Sequence, residues 1–356
     1  MALGPDDITY ITSITSSNQY WFCFLVSDNL LLRTSSGFIM AAFGSQTTTN
    51  EVLEGIDLTG KVAIVTGASG GLGAETARAL VSKGCSVTIA ARDLSRAEAM
   101  AEEIRSSTGN NNVEVGELEL DKPDSVRKFA ADYLASHDTL NILINNAGVM
   151  ACPLNRTKEG WEMQFATNHM GHFLLTCLLS PLLINGAPAR VVNLSSGGHN
   201  FAPVDFDDIH FNHRDYDKFA SYGQSKTANI LFSIELDNRL KDRGVRTNAV
   251  HPGVIMTDLG RHMSQEDIEA ITGNRPEGSP PMEFKEVPAG AATSVWMATS
   301  PELDGVGGQY AQDCHLVTPD ADNTGTGGWA SWAQGDDNAA RLWALSEEML
   351  GETFTV

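Results

Sequence analysis

The sequence predicts an α/β fold in which helices cover both faces of one parallel sheet. From Lys61 onward, short apolar runs rich in Val and Ile alternate with segments whose Ala and Leu residues recur at helical spacing. Strands and helices in regular alternation are typical of the doubly wound architecture. The chain has 356 residues, 42% of them hydrophobic, and is long enough to bury the core that such a sheet requires.

Strands and helices are predicted in alternation between Lys61 and Gly253. The predicted strands are KVAIVTG (61–67), SVTIAAR (86–92), VEVGELEL (113–120), LNILINNAG (140–148), ARVVNLSS (189–196) and VRTNAVHPG (245–253). The predicted helices are AETARALVSKG (74–84), RAEAMAEEIRSS (96–107), SVRKFAADYLASH (125–137), the region through MGHFLLTCLLSPLL (170–183) and the region through TANILFSIELDNRLKD (227–242). After about Gly260 the regular pattern fades.

A glycine-rich loop, TGASGGLG (66–73), lies between the first predicted strand and the first helix. Glycines allow a tight turn and a close approach of the backbone to a pyrophosphate, and the helix N-terminus offers unpaired N–H groups. The four glycines fit both a G-x-x-x-G-x-G and a G-x-x-G-x-x-G pattern, so the loop alone leaves the subfamily open. The loop predicts a Rossmann-type dinucleotide site with the candidate residues Gly67, Ser69, Gly71, Leu72 and Gly73.

The end of the second strand bears on which dinucleotide binds. An acidic residue there would bind the ribose 2′-hydroxyl of NAD and repel the 2′-phosphate of NADP. The chain has Ala91 and then Arg92, with Asp93 only afterwards. A guanidinium pairs well with phosphate, although Arg92 could also be a solvated charge at a strand end. The pattern favours NADP over NAD.

Five motifs together resemble those of the short-chain dehydrogenase/reductase family. They are TGASGGLG, NNAG (145–148), SS (195–196), YGQSK (222–226) and HPG (251–253), in the family's order and spacing. The resemblance covers about Leu58 to Asp258 and, more loosely, the segment to Cys314. NNAG is similar to that of single-domain members. NHMGHFLLT (168–176) and a 26-position step from Ser196 to Tyr222 resemble the retinol-dehydrogenase and protochlorophyllide-reductase-like branch.

The catalytic residues follow from this resemblance. It implies that Tyr222 is the acid/base, that Lys226 also holds the nicotinamide ribose hydroxyls, and that Ser196 hydrogen-bonds the substrate oxygen. It further implies that Asn168 helps to position Lys226 through a water. The chemistry is consistent, because a free phenol has a pKa of about 10, and a nearby ammonium with a positive nicotinamide ring would lower it. Tyr222 and Lys226, four residues apart, would share one helix face.

Further cofactor contacts are implied by the same resemblance. They are Asn146, Ala147 and Gly148 on the adenosine side, and Pro252, Gly253 and Thr257 beside the nicotinamide. One departure concerns the adenine, because the family's contacting Asp falls on Glu119 while Asp121 lies two residues later. The adenine contact is therefore open, and backbone groups of Leu120 could share it.

Charge and cysteine usage limit the expected partners and compartment. The chain has 24 basic and 45 acidic residues, a net charge of −21, which disfavours nucleic acid and anionic lipid as partners. Five scattered cysteines without a CxxC suit free thiols in a reducing, cytoplasmic compartment. No metal site is expected, because His169, His172 and His199 have no carboxylate or thiol at ligand spacing.

Three regions are predicted along the chain. Residues 1–50 read as a poorly ordered N-terminal extension; the apolar run WFCFLV is too short to span a bilayer, and Met40 could be the natural start. Residues 51–315 form the NADP-binding catalytic domain, with a substrate loop around 255–290. Residues 316–356 form a tail with a short helix. A homo-oligomer could pair through the helices carrying Asn168 and Tyr222, unless the tail covers that surface.

The leading functional hypothesis is an NADP-dependent oxidoreductase that transfers hydride between the cofactor and a lipophilic alcohol or ketone. The lipophilic substrate rests on the branch resemblance and on apolar residues assigned to loops: Met256, Met263, Met282, Phe284 and Trp296. Two alternatives use the same motifs. One is an NADP-binding sensor or scaffold without turnover, and the other is a reductase of a carbon–carbon double bond.

Overall fold

The structure, a computed structural model, describes residues 43–267, 269, 284–319 and 328–356, together with the backbone of short strands between residues 9 and 41. It divides into two units, Met1–Gly44 and Ser45–Val356. The first unit contains the antiparallel strands Thr9–Ile11, Phe22–Val26, Asn29–Arg33 and Ile39–Ala41, and a pair formed by Thr15–Ser16 and Gln19–Tyr20. The three predicted regions, including a dispensable extension, stay predictions.

The second unit is built on a sheet whose described strands number eight. In chain order they are β1 (Val62–Thr66), β2 (Ser86–Ala91), β3 (Val113–Glu117), β4 (Ile142–Asn145), β5 (Ala189–Leu194), β6 (Val245–His251), β7 (Tyr310–Gln312) and β8 (His315–Leu316). Their spatial order is β8-β7-β6-β5-β4-β1-β2-β3, and every pair is parallel except β7 with β8. The strand order reverses between β1 and β4, which is where such sheets bind ligands.

The helices lie in two groups. The longer ones in the described part of the chain are α1 (Gly71–Ser82), α2 (Leu94–Thr108), α3 (Pro123–Ser136), α4 (Gly171–Asn185), α5 (Lys218–Leu240), α6 (Val287–Thr299) and α7 (Asp336–Leu350). Helix α1 packs against α2 and α6, whereas α3 packs against α4 and α5 packs against α7. The predicted fold, one doubly wound parallel sheet with helices on both faces, is confirmed.

Helix α5 is more buried than its polar sequence suggests. Asp217 begins it, since the Asp217 carboxylate accepts hydrogen bonds from the backbone N–H groups of Phe219 and Ala220. Every residue from Ser221 to Asp237 is buried. The Tyr–Lys pair in this helix is therefore not a solvated surface pair.

The region after Gly260 contains structure that the sequence pattern did not indicate. Helix α6 is built largely from Ala, Ser and Thr and is buried on most sides, so it shows no amphipathic stripe. Strands β7 and β8 are too short to leave a periodic signal. The assignment of Trp296 to a substrate loop is wrong: Trp296 lies buried in α6 and donates to Glu302 Oε1 at 2.6 Å. Met282 lies outside the described residues.

The tail, where a short helix is predicted, contains α7. Its Trp343 is buried, and the indole ring packs against the ring of Phe173 in α4 at a centroid distance of 4.8 Å. The guanidinium of Arg239 in α5 lies 4.1 Å from the Trp343 ring. The tail helix therefore packs on both α4 and α5. Among the described residues, the helices are all too short or too polar to cross a bilayer.

Candidate active site

The predicted motifs meet at the carboxyl edge of the sheet. Residue Gly67 follows β1, Asn146 follows β4, Ser196 follows β5 and Pro252 follows β6. Parallel strands present their carboxyl ends at one edge, so these four segments become neighbours although they are far apart in sequence. The amino-terminal half of α5 brings Tyr222 to the same place, beside the serine pair.

The glycine loop lies closely on the NNAG segment. A Cβ on Gly67, which has a φ of +68°, would lie 2.8 Å from the Ala147 Cα. A Cβ on Gly73 would lie 2.5 Å from the Asn146 Nδ2. No side chain caps the start of α1 at Gly70, so the first-turn N–H groups face outward from this loop. This close backbone cradle fits a bound pyrophosphate.

A buried histidine links the cofactor loop to Asn168. The Thr66 hydroxyl accepts hydrogen bonds from the backbone N–H groups of Asn146 (2.9 Å) and Ala147 (3.0 Å). The Thr66 hydroxyl also lies 2.9 Å from His172 Nε2, and His172 Nδ1 lies 2.9 Å from the Asn168 carbonyl. A carbonyl only accepts, so Nδ1 carries the proton and Nε2 accepts from Thr66. Burial lowers the pKa of His172 to about 4, which keeps the ring neutral.

Asn168 sits in a π-helical turn, Ala166–Met170, at the start of α4. Such turns often occur at functional sites. The Asn168 side chain accepts from the Val149 N–H at 2.8 Å and donates to the Val149 carbonyl and to Ser225 Oγ, both at 2.9 Å. A Cβ on Gly148 would lie 3.2 Å from Asn168 Oδ1 and 3.6 Å from Lys226 Nζ. Asn168 and Lys226 thus flank Gly148 directly; the water between them stays a prediction.

Lys226 is buried inside the protein. Its Nζ donates to the Leu194 carbonyl at 3.0 Å and lies 5.6 Å from the centroid of the Tyr222 ring. Burial lowers the pKa of Lys226 to about 8. The Leu194 carbonyl also accepts a hydrogen bond from Asn229 Nδ2 at 2.9 Å. The Leu194 carbonyl therefore accepts hydrogen bonds from both the Lys226 ammonium and the Asn229 amide.

The two serines of the SS motif face different partners. Ser195 Oγ donates to the Lys226 carbonyl at 2.8 Å and holds α5 against the end of β5. Ser196 Oγ accepts from the Gly198 N–H at 3.0 Å, and the interaction of Ser196 with the Tyr222 phenol lowers the pKa of Tyr222. A Cβ on Gly198 would lie 2.7 Å from the Tyr222 ring, so the turn after Ser196 packs directly on that ring. The second serine is therefore the one beside Tyr222, and its bond to the substrate oxygen stays a prediction.

The expected direction of the Tyr222 pKa is not the one that the protein alone produces. Lys226 and the positive nicotinamide ring together were expected to lower it. In the protein alone, burial raises the pKa of Tyr222 to about 12, and the interaction with Ser196 offsets only part of this rise. The phenol is 3% exposed, and removal from water disfavours the phenolate. A neutral phenol at pH 7 is a proton donor.

The rim of the site carries exposed cations. Arg92 is exposed and forms no ion pair with any residue that the structure describes. Arg96 pairs with Asp258 at 3.4 Å and lies 3.5 Å from where a Gly70 Cβ would be, so it reaches the glycine loop. Sequence reasoning missed Arg96; its position four residues after Arg92 was the available signal. A Cβ on Gly71 would lie 3.7 Å from Thr257 Cγ2, which brings Thr257 to the loop. The predicted contact of Thr257 with the nicotinamide stays a prediction.

The remaining predicted cofactor residues have structural partners of their own. Glu119 Oε2 pairs with Lys122 Nζ at 2.6 Å, and the Leu120 backbone packs on Gly171 of α4. The Leu72 side chain packs against α6 beside Gly290. The adenine contact of Glu119 stays a prediction.

A cavity of about 490 Å³ lies between the segment that follows NNAG and the segment that leads into α5. It is lined by Ala151, Pro153, Tyr216, Asp217, Lys218, Phe219 and His262. The Phe219 ring contacts the Phe201 ring at 6.2 Å, and Phe201 is half exposed. This cavity is the candidate site for a substrate.

Fold and site together define a Rossmann-type α/β protein with a Ser–Tyr–Lys constellation beside a glycine loop. A family model described as short chain dehydrogenase matches residues 61–268. The chain belongs to the short-chain dehydrogenase family and is an oxidoreductase of that family. The resemblance stated from the sequence motifs is confirmed.

Similar proteins cover most of the chain. Human Retinol dehydrogenase 12 is 43% identical over 298 residues, 83% of this chain and 88% of that protein, and human Retinol dehydrogenase 13 is 41% identical over 294 residues, 82% and 85%. A "Probable oxidoreductase" of Streptomyces antibioticus is 42% identical over 299 residues, 83% of this chain and 99% of that protein.

The crystal structure of an uncharacterized protein from Mycobacterium Paratuberculosis has a TM-score of 0.66 and 32% identity, covering 87% of this chain and 100% of that one. The Pseudomonas aeruginosa RhlG/NADP active-site complex has a TM-score of 0.57 and 26% identity, covering 72% and 95%.

We predict that Lys226 costs stability at neutral pH. The folded pKa of about 8 lies below the ordinary value of 10.5, so the unfolded chain binds more protons between these values and stability rises with pH there. Lys226→Met should raise the free energy of unfolding at pH 7 by up to about 3 kcal/mol, because one pKa unit corresponds to about 1.4 kcal/mol. The gain should shrink as the pH rises from 8 to 10.5, in urea unfolding measured across this range.

Two features make this comparison clean. The Leu194 carbonyl keeps its bond from Asn229 in the variant, so no buried acceptor is left without a partner. Lys158→Met, at an exposed position, is the control and should change the free energy by less than about 0.5 kcal/mol at either pH. A Lys226→Met protein that is less stable than the parent at pH 7 would contradict the account.

Proposed function

We propose that this protein is an NADP-dependent oxidoreductase that interconverts a lipophilic alcohol and its carbonyl compound, with Tyr222 as the acid/base. The observation that carries the proposal is that the turn after Ser196 packs directly on the Tyr222 ring, beside buried Lys226. A structural role alone would not require a phenol, an ammonium and a hydroxyl to converge at the edge of a glycine loop.

The cofactor proposal rests on the loop and on its charges. Gly67 and Gly73 leave no room for a Cβ because the loop packs on Ala147 and Asn146, and the start of α1 has no side-chain cap, so its N–H groups would be available to a pyrophosphate. Arg92 would bind a 2′-phosphate at the ribose, and Arg96 adds a second cation at the same rim. The RhlG/NADP complex, 26% identical, is a relative whose cofactor carries that phosphate. NADP, when bound, supplies the hydride acceptor or donor.

The residues of the chain then have separate tasks. Tyr222, neutral at pH 7, would donate its proton to a carbonyl oxygen as negative charge develops there, and would accept it back in the oxidation direction. The Ser196 hydroxyl would hydrogen-bond the same oxygen and stabilise that charge. Lys226 would favour the phenolate that remains, since it is the nearest buried cation. Asn168 would hold the Val149 backbone and Ser225 in place around Lys226.

The proposal of a lipophilic substrate rests on exposed apolar side chains at the carboxyl edge of the sheet and on the relatives. Large apolar side chains are exposed on segments that follow β4, β5 and β6, where a substrate would enter: Leu154, Phe201, Val254, Met256 and Phe284. Exposed apolar groups that cluster on one side of a protein are typical of binding sites. The retinol dehydrogenases named above suggest a long, apolar alcohol or aldehyde as the first compounds to test.

Tyr222→Phe should abolish most turnover and leave cofactor binding intact. Loss of an acid/base typically costs about 10²–10⁴-fold in rate. We expect this loss for NADPH oxidation with nonanal or retinal, followed at the nicotinamide absorbance, while the NADPH dissociation constant changes by less than about threefold. Tyr133→Phe removes the same hydroxyl from the last turn of α3, at the opposite edge of the sheet, and is the control. Full activity of Tyr222→Phe contradicts the mechanism, and NADPH binding without any turnover in the parent would favour the sensor alternative.

Arg92→Ala should weaken the binding of NADPH but not that of NADH. A hydrogen bond to a charged group contributes about 1.5–3 kcal/mol, so the NADPH dissociation constant should rise about tenfold to a hundredfold. The dissociation constant of NADH, which lacks the 2′-phosphate, should change little. Arg243→Ala removes the same charge from the turn before β6, at the other edge of the sheet, and should leave both constants unchanged. Equal weakening of NADH and NADPH by Arg92→Ala would contradict the assignment.

A further inference from the structure

The peptide unit between Ser196 and Gly197 is held from both sides by histidine side chains. Its carbonyl, from Ser196, lies 2.7 Å from His199 Nδ1. Its N–H, from Gly197, donates to His251 Nδ1 at 3.0 Å. The chain therefore uses two imidazoles to fix the one peptide that directly follows the serine beside Tyr222.

The contacts of His199 define its protonation. His199 Nε2 accepts a hydrogen bond from the backbone N–H of Ala330 at 3.1 Å, so Nε2 carries no proton. A neutral imidazole must then carry its proton on Nδ1, which donates to the Ser196 carbonyl. Trp332 adds a second link to the same residue, because its indole N–H donates to the His199 carbonyl at 3.1 Å. The segment before α7 is thereby attached to the serine turn.

His251 has the opposite tautomer. Its Nδ1 accepts from the N–H of Gly197 and, at 3.4 Å, from the N–H of Gly253. Two donors on one nitrogen require that this nitrogen has no proton, so His251 is protonated on Nε2. Burial lowers the pKa of both His199 and His251 to about 4, in agreement with neutral rings. His251 is the first residue of HPG, and its hydrogen bond to Gly197 thus joins the serine turn to the segment predicted beside the nicotinamide.

The orientation of this peptide determines where the Ser196 hydroxyl points. The hydroxyl accepts from the Gly198 N–H at 3.0 Å, and Gly198 lies directly on the Tyr222 ring. A rotation of the Ser196–Gly197 peptide would move Gly198 and so change both the serine rotamer and its distance to the phenol. Hydrogen bonds on both ends of the peptide oppose that rotation.

We propose that His199 and His251 are positioning residues, one a donor and one an acceptor, which orient the Ser196–Gly197 peptide and through it the Ser196 hydroxyl. The proposal rests on the proposed function, because its effect on rate is exerted through Ser196. It also gives the segment around Ala330, far along the chain, a role in the geometry of the site.

Asn and Gln separate the two nitrogens of each histidine, because an Asn amide reaches the place of Nδ1 and a Gln amide that of Nε2. His251→Asn keeps an acceptor for Gly197 and should keep the turnover number within about threefold of the parent, whereas His251→Gln should lower it at least tenfold. His199→Asn keeps the donor to Ser196 but loses the Ala330 contact, so it should be active and less stable. His199→Gln keeps the Ala330 contact and should be stable and slow. The NADPH dissociation constant should stay within about threefold in the His199 variants.

A double-variant cycle with Ser196→Ala tests whether the effect passes through the serine. If it does, His251→Gln should cost less than about threefold in the Ser196→Ala background, because the group that it positions is already gone. The same loss in both backgrounds, or equal rates for His251→Asn and His251→Gln, would overturn the proposal. The assay is NADPH oxidation with nonanal.

A second readout does not depend on turnover. In protein labelled with ¹⁵N-histidine at pH 7, the ring nitrogens report the tautomer of each imidazole, and the single His variants assign the signals. We expect His199 protonated on Nδ1 and His251 protonated on Nε2. The reverse assignment, or a doubly protonated ring at either position, overturns the inference. If the parent shows no turnover with any carbonyl compound, the proposed function fails, and the tautomers alone decide this inference.

Discussion

The geometry of the site depends on one constraint, the parallel alignment of β1, β4, β5 and β6. Because all four strands end at one edge, the glycine loop, NNAG, the serine pair and HPG are brought together across nearly two hundred residues of sequence. Helix α5 then crosses this edge, held there by Ser195, whose hydroxyl bonds the Lys226 carbonyl at the end of β5. Without this register, the candidate catalytic groups would share only a pattern in sequence.

Burial of polar groups is the second theme of the structure. Tyr222 and Lys226 are each 3% exposed. Burial raises the pKa of Tyr222 and lowers the pKa of Lys226, which in both cases favours the neutral form. Such groups reduce stability, which proteins tolerate where chemistry requires them. The neutral histidines form buried hydrogen bonds without burying a charge. His172 joins Thr66 to Asn168, while His199 and His251 hold the turn after Ser196. The site is thus a connected hydrogen-bond network of neutral side chains around one cation.

Local sequence patterns predicted the elements but not their mutual contacts. The β-branched runs and the Tyr–Lys spacing predicted β1 to β6 and α5, because strand burial and helix periodicity are local properties. Helix α6 escaped detection, since small residues buried on most sides have no polar face. The roles of His199 and His251 could not be predicted, because the contacts that define them, His251 with Gly197 and His199 with Ala330, join segments far apart in sequence. The rise of the Tyr222 pKa in the protein alone could not be predicted, because burial is a property of the folded chain.

The central claim is that Tyr222 is a phenol whose ionisation is controlled by this site and by the bound cofactor. Ultraviolet difference titration of the parent against Tyr222→Phe, with and without saturating NADP⁺, measures it directly, because phenolate absorbs where phenol does not. In the protein alone, Tyr222 should titrate at about 12. With NADP⁺ bound, the positive ring should favour the phenolate, and the Tyr222 signal should appear below about pH 10. A Tyr222 pKa that is unchanged by NADP⁺ would contradict the account.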